Sequence, residues 1–254
     1  MLKSFQQDQL TIQIYQTRKE MGEMAAAAAS TKINELLQQQ DEVNIIFAAA
    51  PSQQEFLSAL LQYPLAWDRI NAFHMDEYVG LDAAAPQGFG NFLRNAIFDR
   101  ANFKQVNFLD GNAEDLQQEC TRYTALLENY PTDVVCMGIG ENAHIAFNDP
   151  HVADFNDPAL VKVVDLDEEC RAQQVNDGCF SEIDEVPTHA LTLTVPALMK
   201  AKFAYCVVPG PKKAKAVYHT LNEPISAKIP STILRQHAHA ELYIDKDSAS
   251  FILS

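Results

Sequence analysis

Short, largely apolar runs alternate along this chain with segments of helical periodicity, and that alternation constrains the fold more than any other feature. Residues 43–49 (VNIIFAA) are short and continuously apolar, the pattern of a strand covered on both faces. Residues 70–75, 133–137, 160–164, 190–193, 203–208 and 240–244 read as further strands. Helical spacing marks residues 21–40, 52–61, 89–98, 113–130 and 212–221. The first of these carries an alanine run at 25–29, which suits a closely packed helix. Neither an internal repeat nor a long Gly, Ser or Pro linker interrupts the order. Such alternation predicts an α/β fold: a mostly parallel sheet flanked by helices on both faces, Rossmann-like, in a single domain over residues 1–254. Ligands of such sheets sit beyond the carboxyl ends of the strands. The loops to read are therefore those after Ala49, Met75, Met137 and Val208.

The formal net charge of -15 argues against a nucleic-acid interface, which needs a basic stripe, and against an anionic membrane surface. It is compatible with a phosphorylated small molecule, because a few converging cations outweigh the global field locally. The opening MLKSFQQDQL lacks the basic-then-apolar design of a secretion signal. No window approaches the roughly 18 apolar residues of a membrane span. The five cysteines, Cys120, Cys136, Cys170, Cys179 and Cys206, form no C-x-x-C pair. Free thiols in a reducing cytoplasm are expected, and no zinc site.

Each of the loops carries chemistry beside a plainer alternative. In Ala50-Pro51-Ser52-Gln53-Gln54, backbone N–H groups at a helix start and a serine hydroxyl favour an anion such as phosphate. The alternative is an N-cap by Ser52 with Glu55 completing a capping box. Residues 74–81 (HMDEYVGL) place Asp76 and Glu77 directly after a buried strand. A carboxyl group in a partly desolvated cleft has a raised pKa and serves as a proton shuttle; otherwise the pair is a surface or capping feature. Residues 138–150 (GIGENAHIAFNDP) hold Gly138, Gly140 and Ala143 in the spacing of a dinucleotide fingerprint. A dinucleotide-binding helix runs on for several turns, whereas this segment meets Asn148-Asp149-Pro150 at once, so that reading is set aside. What remains is His144 with Asp149 five residues on, a proton carrier beside an acid that orients it, or else a satisfied core histidine. Finally, Pro209-Gly210-Pro211-Lys212-Lys213 opens a helix with two lysines, where the helix dipole disfavours cations. They are either placed to meet an anion or simply solvated.

Taken together, these segments resemble the glucosamine-6-phosphate deaminase/isomerase family. HMDEYVGL is similar to its MDEYVGL motif, and GIGENAHIAFNDP to its G-x-G-x-D-G-H-I-A-F-N-E-P. LDGNA at 109–113, VPTHALT at 186–192 and IPSTILRQH at 229–237 resemble further family segments in the same order. The related 6-phosphogluconolactonases share the glycine–histidine turn but continue as H-x-A-S-L-F-P, so IAFNDP sides with the deaminases. The resemblance implies a cytoplasmic, cofactor-free enzyme that turns glucosamine-6-phosphate into fructose-6-phosphate and ammonia. On that reading Asp76 is the enolising base between C2 and C1, and His144 is the ring-opening acid–base, assisted from positions 142 and 149. Lys213 corresponds to the family's phosphate-binding lysine, Ser52, Gln53 and Gln54 to its phosphate loop, and Gly140, in the glycine turn, to a further substrate- or phosphate-binding position. No metal, nucleic acid or membrane partner is implied, and a homo-oligomer is one assembly the family allows.

Departures from the family pattern keep other readings open. Asn142 stands where the family has aspartate and cannot act as a carboxylate. Asp149 stands for glutamate and reaches about 1.5 Å less, enough to change proton-transfer rates. The loop AAAPSQQ at 48–54 lacks the family's glycines. No arginine aligns with the one the family places on phosphate: Arg171 falls early, and the matching stretch is 173–178. Galactosamine-6-phosphate is therefore an alternative substrate. Hydrolysis by a 6-phosphogluconolactonase, which needs only the histidine, is an alternative reaction. A catalytically impaired sugar-phosphate sensor is the non-enzymatic alternative.

Overall fold

The computed structural model describes residues 1–253. Its elements begin with β1 (Lys3–Gln7), β2 (Leu10–Tyr15), α1 (Arg18–Leu37), β3 (Val43–Phe47), α2 (Gln54–Leu60), β4 (Ile70–His74), β5 (Asp76–Tyr78), α3 (Phe89–Ala96) and β6 (Gln105–Asn107). They continue with α4 (Leu116–Asn129), β7 (Val134–Met137), β8 (Val161–Asp165), α5 (Glu168–Asn176), β9 (His189–Leu193), α6 (Val195–Met199), β10 (Phe203–Val208), α7 (Ala214–Asn222) and β11 (Ala240–Asp245).

Eight strands form one sheet in the order β1-β2-β11-β10-β7-β3-β4-β6, and every neighbouring pair is parallel except the β1–β2 hairpin. Side chains alternate between two cores because the strand period is two. Ile46, Val135 and Leu242 enter one core; Ile45, Val134 and Tyr243 enter the other. Helices α4, α6 and α7 cover the first face through Tyr123, Leu198 and Val217. Helices α1, α2 and α3 cover the second through Met21, Phe56 and Leu93. The alanine run lies in α1, where Ala25, Ala26 and Ala29 are buried and bring that helix close to its neighbours. The expected sheet with helices on both faces is thus present. Among the described residues, no helix is long and apolar enough to cross a membrane.

Two sequence expectations need correction. The runs at 160–164 and 190–193 are strands, but they do not join the parallel sheet. They are β8 and β9, and with β5 they form a separate antiparallel sheet in the order β5-β9-β8. Apolar content alone does not distinguish parallel from antiparallel partners when both faces are buried. The segment after Met75 is also not simply a loop. Between β4 and β5 only Met75 intervenes, and its carbonyl accepts from the Leu193 N–H at 2.8 Å. The chain therefore changes sheets at Met75, and Asp76 begins a strand paired with Thr192. The β1–β2 hairpin, β6, α5 and α6 were not anticipated. In β2, Leu10, Ile12 and Ile14 alternate into the core, a period legible in LTIQIY.

The connectivity fixes where a ligand can bind. From β3 the chain moves outward through β4 and β6 on one side, then returns and moves through β7, β10 and β11 on the other. The reversal lies between β3 and β7. Loops leaving their carboxyl ends diverge there and open a crevice.

Candidate active site

A cleft of about 530 Å³ occupies this crevice, lined among others by Ser52, Gln53, Asp76, Gly140, His144 and Lys213. All four loops singled out in the sequence reach it. Each contributes some of its expected residues and turns others away.

Beyond β3 the chain makes one 3₁₀ turn (Pro51–Gln53) before α2. Ser52 and Gln53 line the cleft, whereas Gln54 is exposed and lies outside it, contrary to expectation. The extra 3₁₀ turn delays the helix, so Gln54 becomes its first residue and faces solvent. Gln53 is buried, and its Nε2 donates to the Val207 carbonyl at 3.0 Å, tying this loop to the end of β10. Ser52 is not a helix cap. Residue Gln53 occupies the cap of α2 with no side-chain bond, and Glu55 instead pairs with Arg18 at 2.6 Å.

Asp76 and Glu77 point to opposite sides of β5, as the strand period requires. Glu77 accepts from the backbone N–H groups of Tyr78, Phe89 and Gly90 at 2.8–3.0 Å and so anchors the start of α3. Only Asp76 reaches the cleft. Its carboxyl group is buried, and that burial, with Glu77 beside it, pushes its pKa well above the ordinary carboxylate value. His74, one residue before the sheet change, is a core histidine: its Nε2 accepts from the Leu109 N–H at 2.7 Å, its Nδ1 has no partner, and burial lowers its pKa to about 3.

The turn after β7 brings His144, Asn142 and Asp149 together. His144 Nδ1 lies 2.8 Å from Asp149 Oδ1, without the alignment of a straight N–H···O bond. Asn142 Nδ2 donates to the same oxygen at 3.0 Å, and Asn142 Oδ1 accepts from the His144 backbone N–H at 3.0 Å. Asn142 therefore holds both partners, in a way a carboxylate could not without repelling Asp149. Burial pushes the Asp149 pKa up, but the charge of the nearby His144 and the bond from Asn142 outweigh it, leaving the pKa lowered. Asn148 Nδ2 locks the turn to β9 by donating to Leu193 O at 2.8 Å. Ala143 and Ala146, on either side of His144-Ile145, both sit in the left-handed region, at φ 68° and 46°. Such backbone is costly without glycine and persists where the surroundings enforce it. Gly140 is required by sterics: a Cβ there would stand 2.3 Å from His144 Nε2.

The two lysines after β10 part company. Lys212 is exposed and donates to the Asn176 carbonyl at 2.7 Å. Lys213 is buried and lines the cleft, and its ammonium bonds to no other group among the described residues. Burial lowers its pKa, with Asp177 and Glu141 acting in the opposite sense. An anion entering the cleft would restore the balance of charge. Arg171 is no substitute for a phosphate-binding arginine, because it is spent on the carbonyls of Ile183 and Val186. At this edge of the cleft α5 presents the buried Gln173 and Gln174, with Asp177 at its end. The same helix places Cys170 against Asp149, a neighbour the sequence reading missed. The readable sign was Asp167 followed by Glu168-Glu169: Asp167 caps α5 by accepting from the Cys170 N–H at 2.7 Å.

Comparison with known proteins agrees with this architecture. The family described as glucosamine-6-phosphate isomerases/6-phosphogluconolactonase matches residues 16–244. Glucosamine-6-phosphate deaminase of Bacillus cereus (strain B4264) is 32% identical over 241 residues, covering 95% of this chain and 88% of that protein. The deaminase of Bacillus thuringiensis (strain Al Hakam) matches to the same extent. A solved monomeric glucosamine-6-phosphate deaminase superposes with a TM-score of 0.85 at 28% identity, covering 94% of this chain and 98% of the other. For the 6-phosphogluconolactonase of Thermotoga maritima the TM-score is 0.75 at 19% identity, over 93% and 100% of the two chains, a likeness of fold. From its central sheet to the turn that carries His144, the chain belongs to the glucosamine-6-phosphate isomerase/6-phosphogluconolactonase family.

Proposed function

We propose that this protein is a cofactor-free amino-sugar phosphate deaminase/isomerase that converts glucosamine-6-phosphate and water into fructose-6-phosphate and ammonia. The observation that carries this reading is the convergence of Asp76, His144 and the unpaired Lys213 on one cleft, with Asp149 buried behind His144. Lys213 holds the phosphate, with Ser52 and Gln53 at the same end of the cleft. His144, kept in place by Asp149 and Asn142, takes the proton of the C1 hydroxyl and returns it to the ring oxygen, opening the ring. Asp76 then removes the proton on C2 as the substrate ammonium gives one to the C1 oxygen, and it delivers the C2 proton to C1, leaving a protonated imine at C2. The elevated pKa of Asp76 suits a group that must hold that proton between two carbons. The resulting C2 imine is hydrolysed by water and releases ammonia. The reaction fits a cytoplasmic location, where phosphorylated sugars are found.

A second reading, hydrolysis of 6-phosphogluconolactone, draws on Asn142: with one carboxylate fewer, the relay retains what a lactonase needs. The test is a panel of glucosamine-6-phosphate, galactosamine-6-phosphate and 6-phosphogluconolactone, assayed for ammonia, ketose phosphate and acid. Ammonia and ketose phosphate in equal amounts from glucosamine-6-phosphate are expected. Acid from the lactone alone would replace this reading with the second, and binding without turnover would make the protein a sensor.

A further inference from the structure

Behind His144, on the side away from Gly140, three side chains with metal-ligating atoms converge. His144, Asp149 and Cys170 each offer one such atom, all within 4.8 Å of one another, and His144 Nδ1 faces Asp149 Oδ1 at 2.8 Å. The three residues are buried, at 8%, 0% and 1% exposure. Two of the polar atoms are left over: Asp149 Oδ2 has no hydrogen-bond partner, and His144 Nδ1 has no aligned one. The proposed reaction uses His144 and Asp149 but assigns nothing to Cys170. No ligand spacing in the sequence signals this group, because Cys170 arrives from α5.

We propose that His144, Asp149 and Cys170 form a binding site for zinc(II), and that zinc bound there blocks turnover. The donor set is an imidazole, a carboxylate and a thiolate, which suits a borderline-soft tetrahedral ion and leaves one position for water. Zinc–ligand bonds of 2.0–2.3 Å place neighbouring ligand atoms about 3.4–3.7 Å apart. His144 Nδ1 and Asp149 Oδ1, 2.8 Å apart, need to separate by only about 0.6 Å to reach that range. Charge favours the ion as well. A thiolate and a carboxylate without a cation are costly to bury, whereas the zinc complex with a neutral imidazole has no net charge. Binding forms a Zn–S bond and releases the thiol proton to solvent. Zinc on Nδ1 holds the ring and takes Asp149 away from it. The inhibition rests on the role proposed for His144; the binding does not.

The test titrates zinc into the metal-free full-length chain by calorimetry and follows turnover in parallel. One zinc per chain is expected, with loss of activity that a chelator reverses. Cobalt(II) in place of zinc should show the near-ultraviolet charge-transfer band of a thiolate ligand. Cys170→Ser should weaken binding at least about tenfold and abolish the cobalt band, and Cys170→Thr provides a second variant should the first fail to fold. Cys179→Ser should change nothing. Unchanged zinc affinity in both Cys170 variants would overturn the site, as would binding lost in His151→Gln, which would place the ion at the neighbouring Asp149, His151 and Asp167 cluster. Thiolate-dependent binding that leaves turnover intact would support the site and overturn the role of His144.

Discussion

Adding one methyl group at Gly140 tests the proposed histidine chemistry without touching a polar atom. An alanine Cβ at this position would stand 2.2 Å from His144 Cε1, 2.3 Å from Nε2 and 2.5 Å from Cδ2. Ordinary contact begins near 3.4 Å, so relief of the shortest approach requires a movement of about 1.2 Å. The backbone is poorly placed to supply it: Gly140 N donates to His144 O at 2.9 Å, and Gly140 O accepts from Ala143 N at 3.0 Å. The imidazole must move instead, and Asp149 already stands 2.8 Å from its Nδ1. Overpacking of this kind costs about 1–3 kcal/mol, which lowers the Tm of a chain this size by roughly 2–12 °C. Misplacing a catalytic group by about 1 Å costs about 10²-fold in rate. Gly140→Ala should therefore reduce kcat about 100-fold with little change in KM, since Lys213 and Asp76 are untouched. Steady-state ammonia release from glucosamine-6-phosphate gives both constants, and a melting curve shows that the variant is folded at the assay temperature. A folded variant with wild-type kcat would refute the reasoning, because the ring would then have no need of its present position.

Asp76→Asn should lower kcat by about 10²–10⁴ while substrate affinity, read by calorimetry, is kept. Because the folded-state pKa of Asp76 is raised, the native state binds a proton the unfolded chain has released, and stability falls as pH rises from 3.8 towards that raised value. The Asn variant escapes this loss, so its Tm advantage should grow as pH rises above about 4; a constant gap would contradict it. Lys213→Met should raise KM for the phosphorylated substrate at least about tenfold and abolish inhibition by inorganic phosphate, without lowering Tm, since it removes a buried unpaired cation. An unchanged KM would take Lys213 out of phosphate binding. Ala143→Gly should raise Tm by about 1–4 °C, because relief of roughly 1–2 kcal/mol of left-handed strain exceeds the 0.4–1 kcal/mol of added chain entropy; a fall in Tm would refute this. Substrate dependence should be hyperbolic and unaffected by N-acetylglucosamine-6-phosphate. Residues 151–161 offer no lysine or arginine, and Lys162 is held by Asp157 at 2.9 Å; a sigmoidal curve made hyperbolic by that compound would contradict this.

The sequence by itself determined the layers of this protein and the loops that matter. Strands buried on both faces must be continuously apolar and helices must show their stripe, so β3, β4, β7, β10 and β11 and most of their intervening helices are legible in local pattern alone. His144 and Asp149 were readable as a pair because only five residues separate them, although bonds to β9 also hold their turn. What depends on partners far away in the chain was not readable. Whether the runs at 160–164 and 190–193 pair with the main sheet or with Asp76–Tyr78 is decided by hydrogen bonds to distant strands, which apolar content does not encode. The division of labour between neighbours of equal charge was hidden too. Asp76 faces the cleft while Glu77 anchors α3, and Lys213 is buried while Lys212 reaches Asn176. Gln54 turned outward because a 3₁₀ turn displaced the helix start. Cys170 gives the sharpest instance: Asp167 marks the start of its helix but no ligand spacing marks the cysteine, and the packing of α5 sets it beside His144 and Asp149. Local periodicity reports which face of an element is buried; only the assembled chain decides what each buried side chain meets there.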